Sequence, residues 1–390
     1  MVLGHKMLLK LLGFGPPPAS STEDEAKAMQ GKLLGLAGGV MCTSSMHIGY
    51  KLGFFEALKS GPLTVEALTK AAGAHGRYVK EWCLNMASNG FINFDAATAK
   101  YSMSDAQATF FVDKSHPNHS IMGAVLIAMA SCEMRGRLMG HFQNGGGYTY
   151  KEMPPDAVLG CKIFFGPVYE GLLPMFVAKL DNDILGKLEV GIRVADVGCG
   201  CGKSTLVMGR LYPKSTFQGF DFDERAIAIA NTDKAAERLN NVTFQVVDSA
   251  HEGSAAEFDL VQFFDCLHDM NDPKSAVAQA FKILKPGGSV FLIELLAAEA
   301  DGHAAALEIP MTAINSGFGI HVCIPSGLSE GGEALGGGMG PTCPTCVFDD
   351  LFKVLTAGVV ASVMRAFQTD SKQHRRSTLR LRCLIMLTCL

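Results

Sequence analysis

The chain has 390 residues, of which 48% are hydrophobic and 18% are charged, and this composition is typical of a globular protein rather than a disordered one. It carries 34 Lys and Arg against 38 Asp and Glu, a formal net charge of −4, so no global excess of positive charge draws it to nucleic acid or to an anionic membrane. The 12 cysteines are scattered along the chain, which favours reduced thiols in a cytosol-like compartment.

The N-terminal stretch is apolar but short. Residues 1–15 form an apolar run that Lys10 interrupts and that leads into three prolines. This pattern predicts a disordered terminus over residues 1–20 in preference to a targeting peptide. The longest uncharged apolar stretch, Ile121–Cys132, is too short to span a bilayer. We therefore expect a cytoplasmic protein without a membrane partner.

Residues 21–112 have the layout of a winged-helix domain. A helical segment, Glu23–Tyr50, begins with three acidic residues, which favour a helix N-terminus. Thr64 is a suitable N-cap for the next helix and Gly73 a suitable end for it. Two helices and then a hairpin are predicted over Val65–Ala72, His75–Ser88, Phe91–Phe94 and Lys100–Met103.

Residues 113–191 are predicted to form a mostly helical cap or linker. The segment is rich in Met and Phe and is interrupted by glycines at 145–147 and prolines at 154–155. Most of these apolar side chains are expected to form a helical core. Some of them are expected to line a cavity for a small, partly apolar molecule.

From residue 192 onward, apolar runs alternate with helical patterns. Strands are predicted over 192–197, 216–221, 242–247, 259–264 and 288–294, and helices over 203–211, 223–239 and 273–284. This alternation predicts an α/β fold with a Rossmann-like, doubly wound parallel sheet, whose ligands bind beyond the carboxyl ends of the strands. We assign residues 192–390 to this domain. After Gly340 the pattern weakens, although a helix (Phe348–Thr356) and a closing strand (Thr378–Thr388) can be drawn.

A glycine-rich turn follows the first of these strands. The text VADVGCGCGKST, residues 194–205, joins a buried strand to a helix through alternating glycines, which let a ligand approach the backbone. The dinucleotide pattern G-x-G-x-x-G fails, because its last position falls on Lys203 or Thr205. The P-loop pattern fails because its first glycine would be Val197. Taken alone, the loop leaves open a bound amino-acid carboxylate at the helix N-terminus and an ordinary strand–helix turn.

Polar side chains also end the next strands. Asp221 ends the second strand, where a carboxylate can accept hydrogen bonds from ribose hydroxyls. Asp248 and Ser249 end the third, where a side chain can meet an adenine edge. Each could equally be a capping or loop residue. Lys285–Gly288 forms a helix stop and turn before the fifth strand.

In their order and spacing, these features resemble a known family. Residues 192–294 resemble the class I S-adenosylmethionine-dependent methyltransferases, and residues 50–112 resemble the winged-helix domain that precedes the catalytic domain in one bacterial-type subgroup. The resemblance extends over about residues 45–340. The texts that carry it are LGFFEAL (52–58), GPLTVEALTKAAG (61–73), RYVKEW (77–82), GGGYTY (145–150), FDCLHDMNDP (264–273) and CIPSGLSEGGEALG (323–336).

This resemblance implies S-adenosylmethionine as cofactor and assigns residues to its parts. The methionine part would be held by Asp196, Gly198, Gly200 and Gly202. Asp221 would hold the ribose, with Phe222 beside it in the same site. Asp248 and Ser249 would face the adenine. Asp265 would lie near the amino-acid part or the acceptor.

A base is required only if the acceptor is a protonated oxygen or nitrogen, and O- or N-methylation is the expected reaction. His268 is the candidate base, with Asp269 beside it, because imidazole titrates near the right pH. A histidine packed at the strand end is the alternative. Neighbouring residues on a turn point apart, so Asp269 need not contact His268.

No metal site is predicted. The Cys343–Cys346 C-x-x-C pair lacks a second pair at zinc-ligand spacing and a thioredoxin-like context. A DNA-binding regulator is an alternative function, but residues 61–105 contain four basic and four acidic side chains, without the positive surplus that DNA binding requires. A non-catalytic S-adenosylmethionine binder is the second alternative function. A homodimer through the N-terminal region is compatible with the resemblance.

Overall fold

The computed structural model describes residues 22–178, 180, 182–247, 256–294, 312–332, 334 and 380–383. Residues 1–20, Asp248, Ser249, the C-x-x-C pair and the predicted helix Phe348–Thr356 lie outside the described residues. The chain divides into two compact units. One comprises Met1–Met129 and Leu159–Pro167, and the other comprises Ala130–Val158 and Val168–Leu390.

The first unit contains the predicted helices and hairpin. Its elements are α1 (Thr22–Lys51), α2 (Phe54–Lys59), α3 (Val65–Ala72), α4 (Gly76–Ser88), β1 (Asn93–Asp95), β2 (Lys100–Ser102) and α5 (Asp105–Phe111). The Thr64 side chain caps α3 by accepting from the Ala67 amide at 3.2 Å, and Gly73 ends the helix in the left-handed conformation. The helices with the antiparallel hairpin confirm the winged-helix prediction.

Strand β1 begins two residues later than predicted. The Phe91 amide donates to the Met86 carbonyl at 2.9 Å, so the chain is still bound to the end of α4 at this point. Gly90, with a φ of 77°, makes that turn. The hairpin pairing therefore starts at Asn93, opposite Ser102.

Helix α1 extends well beyond the packed part of its unit. Its buried residues are Cys42, Met46 and Gly49, whereas residues 22–41 are all exposed. Among the helices of the described residues, none combines the length and apolarity needed to cross a membrane.

Two helices, α6 (Ser120–Glu133) and α8 (Pro155–Val177), contribute residues to both units. The other helices of the second unit are α7 (Arg135–Asn144), α9 (Asn182–Val190), α10 (Lys203–Leu211), α11 (Glu224–Glu237), α12 (Pro273–Ile283), α13 (Thr312–Phe318) and α14 (Ile324–Gly327). A π-helical turn, Gly319–Cys323, joins the last two.

The second unit contains the predicted parallel sheet. Its strands are β3 (Arg193–Val197), β4 (Thr216–Asp221), β5 (Val242–Val246), β6 (Phe258–Phe264), β7 (Leu284–Ile293) and β8 (Arg380–Cys383), in the spatial order β5-β4-β3-β6-β7-β8. Every neighbouring pair is parallel. The progression across the sheet reverses between β3 and β6, and in such sheets ligands bind beyond the carboxyl ends of the strands at this reversal.

Helices cover both faces of the sheet. On one face, Val197, Phe263 and Leu292 pack with residues of α12. On the other face, Val194 and Phe264 pack with residues of α8, α9 and α10. Burying each such side chain contributes roughly 1.5–3 kcal/mol. The doubly wound α/β prediction is confirmed.

The start of β7 differs from the prediction. The strand begins at Leu284, which pairs with Phe258, but the next regular pair is Ser289 with Leu260. Residues 285–288 therefore bulge out of the ladder, and Gly287, with a φ of 81°, makes the bulge feasible. The predicted turn is thus an irregularity inside the strand. Next to β7, at the edge of the sheet, β8 lies within the predicted closing strand.

Candidate active site

The glycine-rich loop connects β3 to α10 at the reversal point. The amides of Gly198 and Cys199 both donate to the Phe220 carbonyl, at 2.8 and 3.0 Å, which ties the loop to the end of β4. Gly202 is the N-cap of α10 and adopts a left-handed conformation. The loop therefore places the N-terminus of α10 at the ligand-binding edge of the sheet.

The three glycines of this loop are required for different reasons. All have positive φ, at 71°, 51° and 73° for Gly198, Gly200 and Gly202. A Cβ on Gly198 would lie 2.9 Å from Cys266 Sγ, and one on Gly202 would lie 2.9 Å from Ala230 Cβ. A Cβ on Gly200 would meet nothing within 4 Å. Gly198 and Gly202 thus permit close packing, whereas Gly200 borders open space.

Asp196 faces the protein interior. It is 1% exposed, and its Oδ2 accepts hydrogen bonds from the hydroxyls of Ser204 and Thr205, at 2.8 and 2.6 Å. Burial raises its pKa to about 6, against the lowering effect of those hydroxyls. Asp196 therefore fixes the loop to the first turn of α10, and its predicted contact with a methionine moiety stays a prediction.

Asp221 ends β4 next to the glycine-rich loop. Its Oδ2 accepts from the Gly200 amide and its Oδ1 from the Asp223 amide, each at 2.8 Å. Burial raises its pKa to about 6, although these two amides favour the charged form. Each carboxylate oxygen accepts more than one hydrogen bond, so the group can also accept ribose hydroxyls. Its neighbour Phe222 is half-buried.

Lys151 lies against Phe222, with its Nζ 5.2 Å from the ring centroid. The positive charge also lowers the pKa of Asp221, though less than burial raises it. Sequence reasoning did not single out this lysine.

Asp265 follows β6 in a strained backbone conformation. Its φ is 54°, a region that non-glycine residues rarely adopt and that often marks functional sites. Its amide donates to the Ile293 carbonyl at 2.7 Å, which extends the pairing with β7. Burial raises its pKa to about 7, against the attraction of His268.

His268 lies in a short 3₁₀ turn, Leu267–Asp269, and is 3% exposed. Its Nδ1 lies 2.7 Å from Glu294 Oε2, and its Nε2 lies 3.3 Å from Asp269 Oδ1. Because an ionised carboxylate only accepts, Nδ1 carries a proton. Burial alone would lower the pKa of His268, but the carboxylates of Asp269 and Glu294 outweigh it and raise that pKa well above its ordinary value.

Glu294 was missed from the sequence. It is 4% exposed, and its Oε1 accepts from the amides of Cys266 and Leu267, at 3.1 and 2.7 Å. A signal was present, since Glu294 follows the apolar strand β7, and the equivalent position after the adjacent strand β6 is Asp265. Parallel pairing of the two strands brings both carboxylates to one end of the sheet.

Asp269 contacts His268 even though the two are adjacent in sequence, because the 3₁₀ turn does not direct their side chains apart. Its Oδ2 accepts from the Tyr150 hydroxyl at 2.8 Å, and its backbone carbonyl accepts from the Ser326 hydroxyl at 2.7 Å. Three of the texts that carried the family resemblance, around residues 150, 269 and 326, therefore meet at Asp269.

Residues 148–153, which we call the bridging segment, connect the ends of two strands. After β4, the Arg225 guanidinium donates to the carbonyls of Tyr150 and Met153, at 2.6 and 2.8 Å. After β6, Asp269 accepts from the phenol of Tyr150. Since β3 lies between β4 and β6, the bridging segment spans the end of the strand that carries the glycine-rich loop. Arg225 had no signal in the sequence.

The acidic cluster around His268 contains atoms that could reach one cation. Ligand atoms lie within 4.8 Å of one another in two groups, His268 with Asp269 and Cys323, and His268 with Asp265 and Glu294. The proton on Nδ1 is directed at Glu294, and burial raises the pKa of the Cys323 thiol to about 12. Hydrogen bonds and ion pairs account for this arrangement, so we describe it as an acid–base network.

The fold and this edge of the sheet define a Rossmann-like α/β domain with a site for a small ligand at the carboxyl ends of its strands. Residues 188–313 match the family model of a methyltransferase domain, and residues 40–112 match that of an Rv2258c-like winged HTH domain. The chain thus carries a class I S-adenosylmethionine-dependent methyltransferase domain, preceded in sequence by a winged-helix domain, and the resemblance noted from the sequence is confirmed.

The chain is also similar in sequence to individual methyltransferases. A ubiquinone biosynthesis O-methyltransferase of Thiobacillus denitrificans is 36% identical over 108 residues, which are 27% of this chain and 45% of that protein. Phosphoethanolamine N-methyltransferase 1 of Triticum aestivum is 32% identical over 118 residues, 30% of this chain and 22% of that protein. The chain therefore spans less than half the length of these curated relatives.

The likeness to solved structures is broader. Human N-acetylserotonin methyltransferase, solved in complex with SAM, has a TM-score of 0.60 and 18% identity, covering 87% of this chain and 93% of that one. At this identity the likeness establishes the fold.

Proposed function

We propose that this protein binds S-adenosylmethionine at the glycine-rich loop and transfers its methyl group to a small, partly apolar acceptor. One observation carries the proposal. The Asp221 carboxylate accepts the Gly200 amide at 2.8 Å, while Gly200 itself borders open space. The carboxylate that we propose binds the ribose and a loop that a ligand can approach are therefore adjacent, inside a methyltransferase domain.

The residues around the loop fit this donor. Gly200 leaves room for the donor against the backbone, and the N-terminus of α10 favours its carboxylate. Asp221 has acceptor capacity for the ribose hydroxyls, with Phe222 alongside. Asp248 and Ser249 remain candidates for the adenine, and Asp265 for the amino-acid part or the acceptor. When bound, the donor supplies a methyl group on a sulfonium, which is already activated for displacement.

The chain's own contribution is to position the acceptor, exclude water and hold its proton. We assign His268 as the base for a hydroxyl or amine acceptor, acting at a pH above its raised pKa, where Nε2 carries no proton. Glu294 fixes the proton on Nδ1 and stabilises the imidazolium once Nε2 has gained a proton, as the carboxylate does in a Ser-His-Asp triad. Asp269 lies at Nε2 and is part of the same acid–base assembly.

O- or N-methylation is the expected reaction. Relatives named as an O-methyltransferase and as an N-methyltransferase, both acting on small molecules, support this class. We propose a cytoplasmic location. We also propose a homodimer formed through α1, because exposed apolar residues along its N-terminal part, Met29, Leu33, Leu34, Leu36, Val40 and Met41, have the character of an interface between two copies of this chain.

Two measurements test the proposal. Calorimetry with S-adenosylmethionine, S-adenosylhomocysteine, NAD and ATP should detect binding of the first two only, and binding of NAD or ATP alone would reject it. His268→Ala should abolish methyl transfer, followed as S-adenosylhomocysteine release with a panel of small phenols and amines, while donor affinity stays unchanged. Turnover equal to that of the wild type would return His268 to a packing role.

The two alternatives predict other results. A non-catalytic binder would bind the donor without releasing S-adenosylhomocysteine with any acceptor. A DNA-binding regulator would shift duplex DNA with an affinity that falls steeply with salt. The balanced charge of residues 61–105 argues against this second alternative.

A further inference from the structure

Tyr150 is held from two directions within the bridging segment. Its backbone carbonyl accepts from Arg225 at 2.6 Å, and its hydroxyl donates to Asp269 Oδ2 at 2.8 Å. Arg225 in turn is fixed by Asp223, the N-cap of α11, through a salt bridge of 2.6 Å. A side chain supported in this way places its terminal atom accurately. The phenol of Tyr150 therefore meets Asp269 from a defined position.

The orientation of the Asp269 carboxylate depends on that hydroxyl. The terminal torsion of an aspartate is broad and roughly two-fold, so the backbone alone does not decide which oxygen faces which neighbour. With Oδ2 bound to Tyr150, Oδ1 is left 3.3 Å from His268 Nε2. The Ser326 hydroxyl holds only the backbone carbonyl of Asp269.

We propose that Tyr150 is a positioning residue for His268, whose phenol holds the Asp269 carboxylate against His268 Nε2 and thereby sets how readily that imidazole releases its proton. The contact is independent of any reaction, whereas its effect on turnover rests on the proposed function. His268 is too buried to be oriented by solvent, so its neighbours decide its protonation.

The other groups around His268 come from different elements, and a change at Tyr150 leaves them in place. Glu294 follows β7 and lies at Nδ1, Asp265 follows β6 with its Oδ1 3.9 Å from Nδ1, and Cys323 lies on the π-helical turn. Tyr169 of α8 lies among the same carboxylates, and burial together with Asp265 raises its pKa well above the ordinary value. Among the ionisable groups around His268 named here, Tyr150 binds Asp269.

Tyr148 provides a matched control. It belongs to the same bridging segment, is 1% exposed, and donates its hydroxyl to the His321 carbonyl at 2.8 Å. Tyr148→Phe removes a phenolic hydrogen bond of the same length, but at a backbone carbonyl rather than at Asp269. A general loosening of the segment should affect both variants alike.

The test is a histidine titration by NMR. The His268 imidazole signal, assigned by its loss in His268→Gln, is followed with pH in the wild type, Tyr150→Phe and Tyr148→Phe. In Tyr150→Phe, Asp269 loses the hydrogen bond at Oδ2 and keeps its contact with the Cys323 thiol, so its carboxylate can turn away from Nε2, and the titration midpoint of His268 should fall by roughly half to one pH unit. Tyr148→Phe should match the wild type. An unchanged or raised midpoint in Tyr150→Phe, over the range in which both proteins stay folded, or an equal fall in Tyr148→Phe, overturns the proposal.

Turnover separates this proposal from the function on which it draws. The acidic limb of the kcat/KM profile should move to lower pH in Tyr150→Phe by the same amount as the midpoint. A shifted titration without turnover for any acceptor would reject the proposed function and keep the positioning role. Turnover with an unshifted titration would reject the positioning role alone.

Discussion

His268 Nδ1 and Glu294 Oε2 lie 2.7 Å apart where the adjacent parallel strands β6 and β7 end. The pair is buried, and Glu294 also accepts two backbone amides. The charge of His268 therefore depends on a residue 26 positions away in sequence that the sheet brings beside it.

Removing the charge of Glu294 should lower the free energy of unfolding. Glu294→Gln keeps the shape but withdraws the charge beside a buried imidazolium, and breaking such a pair typically costs about 3–5 kcal/mol. Chemical denaturation at pH 6 measures the loss. Glu257→Gln is the control, since its salt bridge with Arg193 is partly exposed and contributes roughly 0–1 kcal/mol. Similar losses in both variants would contradict the assignment.

The stability that His268 and Glu294 contribute together should depend on pH. The pKa of His268 is raised in the folded protein, so its contribution to stability is complete below the unfolded value of about 6.5. It is lost as pH rises through the higher, folded value. The stability difference between the wild type and Glu294→Gln should therefore shrink as pH rises above neutrality. A difference that grew with pH would contradict the sign.

Two glycine substitutions should separate packing from ligand binding. Gly202→Ala places a methyl group against Ala230 and the Phe244 ring, so it should destabilise the fold by about 1–3 kcal/mol. Gly200→Ala should lower the free energy of unfolding only through backbone strain, by about 1 kcal/mol. Its methyl group, however, enters the space proposed for the donor. Thermal unfolding and donor calorimetry on both variants measure the two effects. Wild-type donor affinity in Gly200→Ala would contradict the proposed donor position.

Donor affinity should depend on the protonation of Asp221. Its pKa is raised to about 6, so affinity should fall as pH drops below about 6, where the carboxylate loses acceptor capacity. Calorimetry between pH 5 and 8 measures this. Asp221→Asn should bind about tenfold more weakly and without that pH dependence. A pH dependence retained in Asp221→Asn would assign the titration to another group.

Charge on the exposed face of α1 should dissociate the proposed dimer. Leu33 and Leu34 are 59% and 67% exposed, and replacing both by Lys would place four like charges in a two-copy interface. Light scattering should give a dimer for the wild type and a monomer for this variant. Leu84→Lys, at a residue that is 45% exposed on α4, should stay dimeric. A monomeric wild type would reject the dimer.

Most of the fold was accessible from the sequence because local signals and tertiary structure agree. Helix 203–211 and strand 216–221 were predicted with the bounds that the structure has. The helix over 223–239 was predicted too long at both ends. Asp223 caps it rather than joining it, and Arg238, with a φ of 55°, ends it in a left-handed turn without a glycine to announce it.

The site was less accessible because its partners are distant in sequence. Gly200 and Asp221 each had a local signal, a glycine pattern and a strand end. The contacts of His268 with Glu294 and of Asp269 with Tyr150 follow instead from the register of two strands and from the path of the bridging segment. Neither the strand register nor the path of the bridging segment can be read from the order of residues alone. Parallel pairing of the predicted strands, however, would have indicated Glu294.

The buried bonds of Asp196 with Ser204 and Thr205 have a consequence for how a ligand is captured. They hold the turn between β3 and α10 rigid before anything arrives, so little conformational freedom remains to be lost on association. The dissociation rate of a ligand should then depend on how well its own groups match those of the site. Ser204→Ala or Thr205→Ala should slow association, because the turn would then adopt several conformations before the ligand binds.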